Sequence, residues 1–131
     1  MTGIDTNILV RFFAKDDPQQ SPKAKAVLNS LTILEPGWVG TATILELVWT
    51  MRSTFRMSRA GIGGMLGQLL SREGVVIEQF DTVRRALQVY RSANADFADC
   101  LIAASARAAG CDKTVTFDRI AARDAGMQLI V

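Results

Sequence analysis

Histidine is absent from the 131 residues, and that single gap narrows the possible chemistry more than any other compositional feature. Without imidazole there is no Ser-His-Asp or Cys-His triad, no histidine-based ribonuclease chemistry and no zinc site that depends on a ring nitrogen. Any catalysis must rest on carboxylates, which in the absence of imidazole suit hard, oxygen-seeking cations such as Mg²⁺ or Mn²⁺. Cysteine is nearly as scarce. Cys100 and Cys111 are the only two and lack CxxC spacing, so neither a zinc knuckle nor a dithiol redox motif is supported; two buried free thiols in a reducing compartment are expected. Apolar runs fall short of a membrane span, and the opening residues do not pair a basic region with a secretory apolar segment, so a soluble, cytoplasmic protein is expected. Charge is low and nearly balanced: 15 Lys and Arg against 13 Asp and Glu leave +2, which identifies no partner by itself.

What the chain does contain is enough apolar residue for a core. At 49% hydrophobic and 21% charged it has the composition of a globular protein, and its length predicts one domain spanning residues 1–131. There are no repeats, low-complexity tracts or interdomain linkers in the pattern.

The chain is organised around its opening. Met1 to Ile4 reads as a short strand delivering Asp5, and Ile8, Leu9, Phe12 and Phe13 are spaced for a helix from Asn7 to about Lys15. Asp5 therefore sits on a strand-to-helix turn. Ligands of open parallel sheets gather outside the carboxyl ends of the strands, so an acid there is a candidate ligand or catalytic group; equally, Asp, Thr and Asn are favoured helix N-caps. Repetition strengthens the first alternative, because Asp118 follows the β-branched run Thr114-Val115-Thr116 in the same way.

Further along, Ser21-Pro22 has the form of a cap and first helical residue, with Ala24, Val27, Leu28 and Leu31 as a buried stripe. Trp38-Val39 predicts a strand, and Gly40-Thr41 opens a helix with Ile44, Leu45, Val48 and Met51 inward. Glu46 lies off that stripe, either solvated or offered to a site, with no basic partner four residues on. Ser58 to Arg72 is helical in spacing although Gly61, Gly63, Gly64 and Gly67 each cost about 1 kcal/mol relative to alanine. So many glycines predict tight packing, as against a second subunit, or a movable arm. The flanking Arg52, Arg56, Arg59 and Arg72 are phosphate contacts or solvated charges.

Val75-Val76-Ile77 predicts a strand, and Asp81 or Thr82 a helix start with Val83, Ala86, Leu87 and Tyr90 inward. Asp96-Phe97-Ala98-Asp99 opens an alanine-rich helix that Gly110 ends. The three-residue interval puts both carboxylates near one side of the first turn, where they repel unless a cation lies between them; the helix dipole also favours acids at that end. A short helix from Asp118 to Asp124 and a strand at Met127 to Ile130 complete the chain. Strands alternating with helices predict an α/β domain, a three-layer α/β/α sandwich on a mainly parallel central sheet. If the acids converge there, the remaining surface is more basic than the net charge suggests, which suits a polyanion.

Taken in order, Asp5-Thr6-Asn7, Leu45-Glu46-Leu47, Asp96-Phe97-Ala98-Asp99-Cys100-Leu101-Ile102-Ala103 and Thr116-Phe117-Asp118 resemble a PIN domain, and more closely a VapC-type toxin ribonuclease, over essentially the whole chain. The resemblance implies a divalent-metal-dependent endoribonuclease, commonly homodimeric, encoded beside an inhibitory antitoxin. It implies that Asp5 and Asp99 are the principal metal-binding acids, that Glu46 and Asp96 are additional site acids, that Asp118 is the most variable acid, and that Thr6, Asn7 and Thr116 are small polar neighbours. All those positions are occupied. The chemistry suits the residues as well: Mg²⁺ or Mn²⁺ held by carboxylates activates water and neutralises phosphate charge in RNA hydrolysis. Two other functions remain open to the sequence. One is a phosphoacceptor or phosphohydrolase domain of receiver or haloacid-dehalogenase type, although Asn7 stands where a dehalogenase needs its second acid. The other is a non-catalytic RNA or protein interaction module whose acids are caps and solvated charges.

Overall fold

The structure, a computed structural model, describes residues 1–131. Seven helices and five short strands share the chain, and every strand pair is parallel. The fold is α/β, as the alternating pattern predicts, and the chain forms two compact units, Met1–Glu78 and Gln79–Val131.

The first unit carries β1 (Thr2–Gly3), α1 (Thr6–Ala14), α2 (Gln20–Ser30), β2 (Gly37–Val39), α3 (Thr41–Ser53), α4 (Arg59–Ser71) and β3 (Val75–Ile77). Its sheet has the order β1-β2-β3, with Gly37 opposite both Thr2 and Val75. Parallel neighbours need a crossover, and the helices between successive strands supply it. Gly74 permits the entry into β3: its φ is +83°, and a Cβ there would lie 2.8 Å from the carbonyl carbon and oxygen of Leu31. Around this sheet Ile4, Leu9, Val39, Ile44, Leu47, Ile62, Leu66 and Leu69 are buried. Leu47 takes an inward place on α3 that the spacing predicts for Leu45, which is half-buried.

Helix α2 starts earlier than Ser21-Pro22 suggests. The carboxylate of Asp17 accepts from the amides of Gln19 and Gln20, at 2.9 and 2.8 Å, and so nucleates the turn. Those amides also hold the Asp17 carboxyl below its ordinary pKa. Pro22 then falls within the first turn, where its missing N–H is not needed. The Ser21 hydroxyl instead donates to the Arg11 carbonyl at 2.8 Å, tying α2 to α1. Ala24 and Leu28 are buried, whereas Val27 is exposed. Helix α4 runs unbroken through its glycines, with Ser58 accepting from the Gly61 amide at 3.0 Å. Gly61 abuts the Met57 side chain, where a Cβ would come within 2.6 Å; Gly64 faces open space.

The second unit holds α5 (Phe80–Ser92), α6 (Phe97–Ala108), β4 (Val115–Thr116), α7 (Arg119–Asp124) and β5 (Gln128–Leu129). Helices α5 and α6 pack through Val83, Ala86, Leu87, Phe97, Cys100 and Leu101, and Tyr90 meets Phe97 edge-on with ring centroids 5.8 Å apart. Strands β4 and β5 pair at Val115 with Gln128 and Thr116 with Leu129, joined by α7. Both cysteines are free thiols, but only Cys100 is buried; Cys111, past the glycine-ended α6, is exposed. No helix is long and apolar enough to cross a membrane.

Candidate functional site

In the first unit the turn after β1 brings together Asp5, Thr6 and Glu46. Asp5 is extended at φ −78° and ψ 157°, and its Oδ1 accepts from the Thr6 amide at 2.8 Å, so it does cap α1. That bond occupies one carboxylate oxygen and leaves Oδ2 free. Thr6, only 7% exposed, donates its hydroxyl to Oε1 of Glu46 forty residues away. Packing of α1 against α3 makes that meeting possible. Glu46 is therefore not a loosely solvated charge: its outer end is tethered beside the Asp5 turn while Oε2 remains open. Asn7 follows on α1 and is exposed.

Glu78 extends the same pattern and has no place in the motif-based set. It directly follows β3, much as Asp5 follows β1 one residue on, and that order was the available signal. Its Oε1 accepts from both the amide and the hydroxyl of Thr41 at 2.9 Å, capping α3 at the end opposite Arg52. The Thr41 amide and then its hydroxyl hold the Glu78 carboxyl below its ordinary pKa.

In the second unit Asp99 feels the charges of Asp96 and Asp118. Asp96 occupies the N-cap position of α6, yet its side chain makes no capping bond. Asp99 lies in the first turn and is half-buried. Burial, followed by the negative charges of Asp96 and Asp118, pushes the Asp99 carboxyl above its ordinary pKa. Asp118 caps α7 through Oδ1, which accepts from Ile120 and Ala121 at 2.8 and 3.0 Å; its own amide donates to the Thr116 hydroxyl at 3.0 Å. Thr116 thus orients the Asp118 turn, and Oδ2 of Asp118 is left over.

The available oxygens fit a hard divalent cation in kind: each capping or tethered acid retains one unused carboxylate oxygen, Asp96 retains both, and no imidazole competes. Their positions are looser than a closed metal site, since in neither unit are three or more acidic or cysteine side chains gathered to hold an ion. Among the arginines flanking α4, Arg52 and Arg72 make contacts within the first unit. Arg52 donates to the Met57 carbonyl at 3.1 Å, and Arg72 donates to Asn29 at 2.7 Å while lying over the Phe12 ring.

No curated protein matches the chain. The family model of the PIN domain matches residues 4–126, a span that runs across both units.

Proposed function

Because the chain belongs to the PIN domain family, whose fold is generally that of metal-dependent nucleases, we propose that it is a divalent-metal-dependent endoribonuclease, the toxin of a VapBC-type pair. The two units together constitute its one catalytic domain. Asp5 and Asp99 are the principal ligands of Mg²⁺, or of Mn²⁺ in its place, with Glu46, Asp96 and Asp118 assisting. The observation that carries this reading is the setting of Asp99: burial, and then the negative charges of Asp96 and Asp118, disfavour its ionised carboxylate, a cost that a bound cation would offset.

A divalent ion held by these acids would lower the pKa of a bound water and offset charge on the phosphodiester oxygens. The side chains do the rest. Thr6 fixes the direction of Glu46, so that its free oxygen is held rather than swinging with the helix surface. Thr116 fixes the Asp118 turn. Asn7 and Thr116 offer neutral polar contacts to the sugar-phosphate without adding repulsion. The protein works in the cytoplasm as a homodimer, restrained by a cognate antitoxin.

The test is cleavage of total RNA by the purified protein with Mg²⁺ or Mn²⁺, with EDTA, and by the Asp5→Asn and Asp99→Asn variants. Cleavage should require the metal and disappear in both variants; EDTA-resistant cleavage, or none by the wild type, rejects the assignment. A thermal shift on adding Mn²⁺, absent with a monovalent salt, separates a metal enzyme from a non-catalytic interaction module.

A further inference from the structure

The second unit contains a cleft of about 870 Å³ between α5, α6, the segment 111–114 and the loop from α7 into β5. Its floor is the α6 surface from Cys100, 2% exposed, through Ala103 and Ala104 to Arg107. Arg85, Lys113 and Arg123 complete the cationic lining, against Asp112 and Asp124. Arg123 and Asp124 satisfy one another through two bonds of 3.0 and 2.9 Å. Arg85, Arg107 and Lys113, from three different segments, have no such partner and are exposed around the opening. Isolated exposed arginines are usually solvated; three unpaired cations converging on one concave surface are a different arrangement, because low-dielectric walls concentrate their field.

The cleft also has a direction. Cys100, its first residue on α6, immediately follows Asp99, and Arg107 stands eight residues on from that acid, about 12 Å along the helix axis. One end of α6 is thus acidic and the other cationic, and the α6 residues lining the cleft between them, Cys100, Ala103 and Ala104, are small. We infer that this cleft is a track for the phosphate backbone of single-stranded RNA, in which Arg85, Arg107 and Lys113 hold phosphates flanking the bond to be cleaved. The inference rests on the ribonuclease reading above and adds the surface that carries the substrate.

The experiment measures binding of a short fluorescent single-stranded RNA in EDTA across a salt series. Replacing Arg85, Arg107 or Lys113 by Gln should lower the slope of log affinity against log salt by about 0.7 for each phosphate no longer neutralised. Arg107→Lys should keep it, as should Lys25→Gln, an exposed cation of α2. Unchanged slopes in all three Gln variants, with metal-dependent cleavage by the wild type intact, would overturn the track and leave the nuclease reading standing. A triple variant that changes oligomeric state but not RNA affinity would assign the cleft to a second copy of the chain and also overturn it. The expected slopes without any metal-dependent cleavage would support the track while sinking the catalytic reading alone.

Discussion

The hydroxyl of Thr6 donates to the carboxylate of Glu46, joining the first residue of α1 to the outer face of α3. This bond turns an exposed acid into a directed one. Replacing Thr6 by Val keeps the shape and deletes the bond. Because Glu46 can rehydrate, stability should fall by no more than about 1.5 kcal/mol, whereas kcat for RNA cleavage should fall on the order of 10-fold or more through loss of positioning. KM should change little. Thr6→Ser should restore kcat; a Val variant with wild-type kcat would show that Glu46 needs no tether.

Asp99 should trade stability for function. Its folded pKa is raised, so the folded chain binds a proton more tightly than the unfolded one, and the ionised carboxylate is a burden at neutral pH. In EDTA at pH 7, Asp99→Asn should therefore melt above the wild type while losing cleavage. The gap should narrow as pH falls through the raised pKa of Asp99 and close near its ordinary value. Melting curves of the two proteins from neutral pH into acid decide this, and a lower-melting Asn variant at neutral pH contradicts it.

Glu78 should behave in the opposite sense. Its folded pKa is depressed by Thr41, so its contribution is present above the unfolded value of about 4.5 and is lost as pH falls through the folded one. Glu78→Gln should lower the melting temperature at pH 7 and converge with the wild type in acid. Equal melting temperatures at neutral pH would mean that the α3 cap is idle.

Gly64 should be replaceable. It lies mid-helix in α4, is exposed, and a Cβ there meets nothing within 4 Å. Gly64→Ala should stabilise the protein by about 0.4–1 kcal/mol through helix propensity and the unfolded chain's reduced freedom. Gly61→Ala should gain less or lose, because its Cβ must displace the Met57 side chain. Denaturant midpoints of the two variants provide the comparison.

Cleavage and stability should respond together to metal removal. If the acids hold a cation in the folded state only, Mn²⁺ at 100 times its Kd adds about 2.7 kcal/mol to stability, and EDTA reverses both that gain and the activity. Titrating Mn²⁺ against melting temperature and cleavage in parallel checks it: activity that saturates with no thermal shift would uncouple the two.

What the linear order determined is what neighbours in sequence can decide. Helical spacing and a serine cap define α4 despite its glycines, and β-branched content places β3 at Val75–Ile77. Local hydrogen-bonding chemistry puts Asp5 and Asp118 at helix starts, and the succession of acid motifs pointed to the family that matches residues 4–126. Tertiary structure decided what those groups touch. The Thr6–Glu46 and Thr41–Glu78 bonds span 40 and 37 residues; they exist because a parallel sheet of order β1-β2-β3 needs helical crossovers, whose packing sets distant side chains against one another. Periodicity says which face of a helix is buried but not which distant residue lies opposite it. The burial of Asp99, the exposure of Cys111 and the convergence of Arg85, Arg107 and Lys113 on one cleft could emerge only once the helices had packed.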